Sequence, residues 1–121
     1  MLSFKLDRVP PSVNHCYYNR VIGKGVRKWV QKGYTKDAKV FFKYIELMTT
    51  GMKCPEGRLA LRIQVRFKDK RKRDIDNYLK VICDSLQCLV GDDSRFDEIN
   101  IVRLDPGKEY MYIEIKERKE E

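Results

Sequence analysis

Four carboxylates in one short stretch carry the clearest chemistry in this sequence. In RKRDIDNYLKVICDSLQCLVGDD, residues 71–93, Asp74 and Asp76 follow a run of cations, and Asp92 and Asp93 close the segment. Clustered carboxylates repel one another and raise one another's pKa values unless a cation lies among them. Oxygen-only ligands of this kind suit Mg²⁺, or Mn²⁺, better than zinc. Arg71, Lys72 and Arg73 suit phosphates. The stretch therefore joins a phosphate grip to a candidate metal site.

Backbone geometry sets conditions on that site. On a helix, residues i and i+2 point apart; in an extended segment they share a side. Asp74 and Asp76 converge only if the helix starts at or after Asp76, with Ile75 turned inward as an anchor. From Asn77 to Leu89 a helix runs about 20 Å, so the chain must fold back for Asp92 or Asp93 to reach the first pair. The same residues suit a second role. Asp74 or Asp76 can cap the helix. Asp76, Lys80 and Asp84 stand at i, i+4 and i+8, the spacing of a salt-bridged exposed face. Spacing alone does not choose between a metal site and a solvated helix.

The surrounding elements read as follows. Leu2, Phe4 and Leu6 alternate with polar residues, which predicts a strand over 2–9 stopped by Pro10-Pro11. Thr35 is placed to cap a helix running to about Thr50, with Ala38, Phe41, Phe42, Ile45 and Met48 at helical spacing and Gly51 as its stop. Leu59, Leu61, Ile63, Val65 and Phe67 predict a strand over 58–68 whose other face is basic. The helix after Arg73 is expected to bury Ile75, Leu79, Ile82, Leu86 and Leu89 and to end at Gly91. Strands follow over 99–104 and 109–117, joined by Asp105-Pro106-Gly107-Lys108 as a tight turn, and the charged tail from Lys116 to Glu121 is expected to fray. This pattern predicts an α+β fold: a single domain over 1–121, a mixed sheet with two main helices packed on it, in the order β-loop-α-β-α-β-β.

Residues 12–34 are the least regular. Gly23-Lys24-Gly25 marks a turn suited to the tip of a small hairpin. Arg20, Lys24, Arg27, Lys28 and Lys32 are interleaved there with Tyr17, Tyr18, Trp29 and Tyr34. Such cations, Lys24, Arg27 and Lys28 among them, can contact phosphates, and the rings can stack on unpaired bases. Equally, the rings can pack on the core beneath a solvated basic loop.

The whole chain supports an anionic partner. Lys and Arg outnumber Asp and Glu for a net charge of +8, and nucleic acid is the commonest partner of such a surface. The four cysteines show no CxxC spacing and there is a single histidine, which argues against structural zinc and against a disulfide framework. Cys83 is expected to be a small buried apolar group. With no long apolar run at the N-terminus, the expectation is a cytoplasmic protein with no signal peptide or membrane span.

Read together, RKRDIDNYLK, then CDSL, then GDD resemble the RusA family of Holliday junction resolvases, in which the pattern is D-x-D-N-x-x-K, a further D in the helix and a downstream D-D. PPSVN, Pro10 to Asn14, is similar to the P-P-S-x-N segment of that family. The resemblance covers nearly the whole chain. It implies a homodimeric endonuclease, RusA-like in fold, that cuts four-way DNA junctions with Mg²⁺ or Mn²⁺. It makes Asp74, Asp76 and Asp93 the acidic triad, with Asp92 as the alternate to Asp93, and Lys80 the functional lysine. Arg73, Asn77 and Asp84 match further recurrent positions. Asn14 and Asn77 join Arg71, Lys72 and Arg73 as expected DNA contacts. Two other readings stay open: a basic nucleic-acid-binding domain without catalysis, and a metal-dependent nuclease for flaps or other branched substrates.

Overall fold

Alternation of apolar residues builds the body of the molecule. The computed structural model describes residues 1–119, the side chain of Trp29 aside. Its strands are β1 (Leu2–Leu6), β2 (Tyr17–Ile22), β3 (Trp29–Tyr34), β4 (Leu59–Arg66), β5 (Phe96–Arg103) and β6 (Tyr110–Glu117). Its helices are α1 (Val13–Cys16), α2 (Lys36–Met48), α3 (Asp76–Ser85) and α4 (Gln87–Val90), with a 3₁₀ turn over Asp93–Arg95. A four-stranded sheet has the order β1-β6-β4-β5, in which only the β4–β5 pair is parallel. The register aligns Phe4, Ile113, Ile63 and Ile101 in one row across all four strands. That face packs against Ala38, Phe41 and Ile45 of α2 and Val81, Ile82 and Cys83 of α3 in one core. The mixed sheet and α+β class are as the sequence predicts.

Several expectations change in detail. The segment read as a loop is an ordered hairpin, with β2 and β3 forming a separate two-stranded sheet. Thr35 anchors its base: its N–H donates to Cys16 O at 2.8 Å and its hydroxyl to His15 O at 2.6 Å, while Oγ1 accepts from Ala38 N to cap α2. Strands β5 and β6 are not a hairpin pair. The Asp105–Lys108 connection carries the chain past the end of β4, held by Leu104 N to Val65 O and Gly107 N to Phe67 O. The reason lies in composition. Met111, Ile113 and Ile115 of β6 are fully buried and suit a central strand, whereas β5 leaves Ile99 and Val102 exposed and suits an edge. The basic face of β4 does not form a cationic track either, because Glu114 and Asn100 flank Arg62. Lys116 and Glu117 belong to β6, and Arg118 N donates to Arg58 O, so the tail is paired that far; Glu120 and Glu121 lie outside the described residues.

In α3, burial is broader than the predicted stripe. Val81, Cys83 and Ser85 are buried beside Ile82 and Leu86, while Ile75, Leu79 and Leu89 are only half-buried. The helix meets α1 and α2 as well as the shared core, and so buries a wide arc. It also breaks at Leu86 before α4, and Gly91 then takes φ +84, a left-handed conformation that favours glycine.

Ile63 is fully buried at the centre of the sheet. Ile63→Ala is expected to lower stability by about 2–5 kcal/mol, seen as a fall in the urea midpoint at unchanged slope. Burial also pushes the Cys16 and Cys83 thiols up to about 11. At pH 8 about one in a thousand of each is then thiolate, so both should resist alkylation until the protein unfolds; modification at the rate of a free thiol would contradict this.

Candidate active site

A buried aromatic, Phe67, organises the approach to α3. Just after β4, its ring carries the Arg73 guanidinium at 4.5 Å on one side and the Arg103 guanidinium at 5.1 Å, and it meets the Tyr78 ring at 5.0 Å. Arg73 is further tied to Asp69 at 2.8 Å and its side chain is only 16% exposed. That ion pair holds the Asp69 carboxyl below the usual carboxylate range and raises Arg73. Arg103 donates to Arg71 O at 2.8 Å. The segment before α3 is thus pinned through Arg73 and the Arg71 carbonyl, which leaves the side chains of Arg71 and Lys72 exposed to solvent. A shallow cleft of about 310 Å³ opens there, lined by Lys72, Arg73, Asp74, Asn77 and Tyr78.

Asp74 and Asp76 are both exposed at the mouth of α3. The helix begins at Asp76, the latest start that the pair requires, while Ile75 before it already has helical angles, φ −60, ψ −38, and Asp74 O accepts from Asn77 N at 3.1 Å. The alternation of an extended chain therefore ends at Asp74, and the pair flanks the first turn of α3.

Asp93 lies by the C-terminal end of α3. The Cys83 thiol is raised first by burial and then by the negative charges of Asp93 and Asp84. The turn that brings Asp93 there is fastened by Arg95, which donates to Val90 O at 2.8 Å, Pro55 O at 2.6 Å and Gly57 O at 3.1 Å. Asp92 is occupied differently. Its Oδ1 accepts from Ser94 N at 2.9 Å and caps the 3₁₀ turn, which lowers its pKa. Because β5 is parallel to β4, with Leu59 beside Phe96, the chain enters β5 at the end of the sheet where β4 begins. Asp74 and Asp76 belong to the other end, near Phe67, and α3 spans about 15 Å between. Accordingly, no three acidic, histidine or cysteine side chains gather closely enough to hold a metal ion among the described residues.

Lys80 lies one turn beyond Asp76. Its ammonium is 3.3 Å from Asp84 Oδ2 and 4.4 Å from the centroid of the Tyr17 ring. The Tyr17 hydroxyl donates to the same Asp84 oxygen. Burial and that bond raise the Tyr17 pKa strongly, so the phenol stays protonated. Asp84 is therefore no exposed member of a charge ladder: its side chain is 9% exposed and lies between Lys80 and the hairpin. Asn14 is exposed on α1, and Lys24, Arg27 and Lys28 are exposed at the hairpin tip. Sequence reasoning took Tyr17 only as a stacking or core ring and missed its role in positioning Asp84, and it missed Arg95 altogether. The partner of Tyr17 is 67 residues away and that of Arg95 is backbone. No periodic signal marks either.

As donors, Asp74 and Asp76 fit Mg²⁺. They are exposed, hard oxygen ligands beside phosphate-binding cations, and Mg²⁺ is commonly held by one or two carboxylates together with waters and substrate phosphates. Asp93 stands apart from that pair in the folded chain.

Among described residues, no helix is long and apolar enough to cross a membrane. The family described as Endodeoxyribonuclease RusA matches residues 9–116. A crossover junction endodeoxyribonuclease rusA from Enterobacteria phage HK97 is 32% identical over 99 residues, covering 78% of this chain and 76% of the relative. A match over nearly the whole fold, from the segment before α1 to the end of β6, places this chain in the RusA endodeoxyribonuclease family.

Proposed function

We propose that this chain is a Mg²⁺-dependent Holliday junction resolvase. It acts as a cytoplasmic homodimer that cuts four-way DNA by paired symmetric nicks in recombination and repair. The observation that carries the chemistry is the exposed pair Asp74 and Asp76 beside the solvent-exposed side chains of Arg71, loosely paired to Asp69 at 3.6 Å, and Lys72, with Lys80 one turn on. The substrate follows from the phage relative, named for crossover junctions. Mn²⁺ is expected to substitute for Mg²⁺.

Asp74 and Asp76 would hold the metal, and Asp93 is the third acid by its motif position. When bound, the metal supplies an activated water and offsets charge at the phosphate. The protein's own groups do the rest. Arg71 and Lys72 grip phosphates flanking the cut. Lys80 presents a cation about 6 Å along the helix from Asp76, where it orients the scissile phosphate and stabilises charge developing on it. Asp84 and the Tyr17 ring restrict where that ammonium can point. Two copies related by a two-fold axis present two such sites to strands of like polarity in a junction of matching symmetry.

The deciding experiment incubates the protein with a synthetic four-way junction and a matched duplex, with and without Mg²⁺. Symmetric nicking of the junction alone, and only with metal, is expected. Cleavage of flaps as fast as junctions would point to a different branched substrate, and binding without nicking to a non-catalytic module. Asp76→Asn should keep junction binding and lose cleavage by at least about a hundredfold; a near wild-type rate would remove Asp76 from the site. Lys80→Ala should lower cleavage more than binding, whereas equal losses would make Lys80 a phosphate grip alone.

A further inference from the structure

The β2–β3 hairpin presents two unlike faces. Direct cross-strand partners share a face, so Tyr17 with Tyr34, Asn19 with Lys32, and Val21 with Val30 line one side. On the other side the Tyr18 ring lies over Gly33, where even a Cβ would come within 2.5 Å of it. The first face borders a groove of about 480 Å³, lined by Val13, Tyr17, Asn19, Lys32, Tyr34 and Lys80. Lys80 is thus shared between this groove and the proposed catalytic face.

We propose that this groove seats one unstacked nucleobase of the strand being cut, and that Asn19 reads its edge. This rests on the reading of the chain as a DNA-cutting enzyme. Four features of the groove fit that ligand. The hairpin carries five cations and no carboxylate between Tyr17 and Tyr34, so it attracts a polyanion. Lys32 and Lys80 flank the groove as phosphate contacts on either side of the base. Tyr34 offers a braced ring: Phe42 meets it edge-on at 4.8 Å and Tyr17 at 5.4 Å, yet it remains 38% exposed. Such a ring is a stacking platform. Asn19 is exposed, and its amide takes no side-chain hydrogen bond among the described residues. An amide offers a donor and an acceptor side by side, the pattern that discriminates base edges. A base within a duplex enters such a groove only when turned out of its stack, and that step costs least where stacking is interrupted, as at the crossover of an open junction.

The test uses the full chain and a set of four-way junctions that differ only in the base beside the scissile phosphate. The wild type should prefer one base, and Asn19→Ala should reduce the best-to-worst ratio of kcat/KM by about tenfold. A merely structural loss would slow all junctions alike and keep the ratio. A parallel measurement without metal places 2-aminopurine at the crossover. Its emission should change on binding to the wild type and to Tyr34→Phe, but not to Tyr34→Ala. A wild type indifferent to the base, an Asn19→Ala protein that keeps the ratio, or an emission change that survives Tyr34→Ala overturns the proposal. If no junction is cut at all, the resolvase reading fails on that ground, and the emission arm still decides the groove.

Discussion

The Asp84 carboxylate is the point on which the working parts depend. It sits in the last turn of α3 with little access to water, and a charge so placed is unfavourable unless partnered. One partner is local, the Lys80 ammonium a turn earlier on the same helix. The other comes from β2, the Tyr17 hydroxyl. Satisfying one buried charge therefore fixes three things together: the angle of the hairpin, the position of the lysine and the face of α3 that remains open. The Tyr17 ring contributes again by lying close to the ammonium, a cation–π contact.

A second constraint is the parallel pairing of β4 and β5. A parallel neighbour requires a crossover, and here the crossover is α3 itself with its flanking turns. The segment that carries nearly all the candidate chemistry is thus also the connection that builds the sheet. Arg73 and Arg95 fasten its two ends, one to Asp69 and the Phe67 ring, the other to three carbonyls. The cost of this arrangement is separation, since the two acidic motifs stand near opposite ends of a helix of about 15 Å.

Much of the architecture was legible because period-two and helical alternation are local signals. Leu59 to Phe67, Met111 to Ile115 and the Thr35 cap all declare themselves within a few residues. What stayed hidden was pairing between distant segments. Nothing near Asp105 indicates that β6 passes to the far side of β4; that follows from which strand can tolerate burial on both flanks. The acids were visible by type and spacing, and the fate of each was set elsewhere. Ile75 adopts helical angles just before α3, so Asp74 and Asp76 flank the first turn of the helix and do not lie on a fully extended segment. Ser94 N–H engages Asp92 and leaves Asp93 to approach α3. Arg73 looks like a phosphate ligand in the sequence and is drawn into its own loop by Asp69, two residues before the motif read as basic.

The hairpin shares no strand pairing with the four-stranded sheet. Its attachments are a few contacts at its base: Thr35 to His15 and Cys16, Tyr34 to Phe42, and Tyr17 to Asp84. The long-range ladder of the body would be complete without it. Length and composition beyond Tyr18 and Gly33 are consequently free to diverge without disturbing the scaffold, provided that Tyr17 and Thr35 stay in place. Such an appendage is an interchangeable part. Descendants of this sequence can vary the hairpin while inheriting the helix and sheet unchanged.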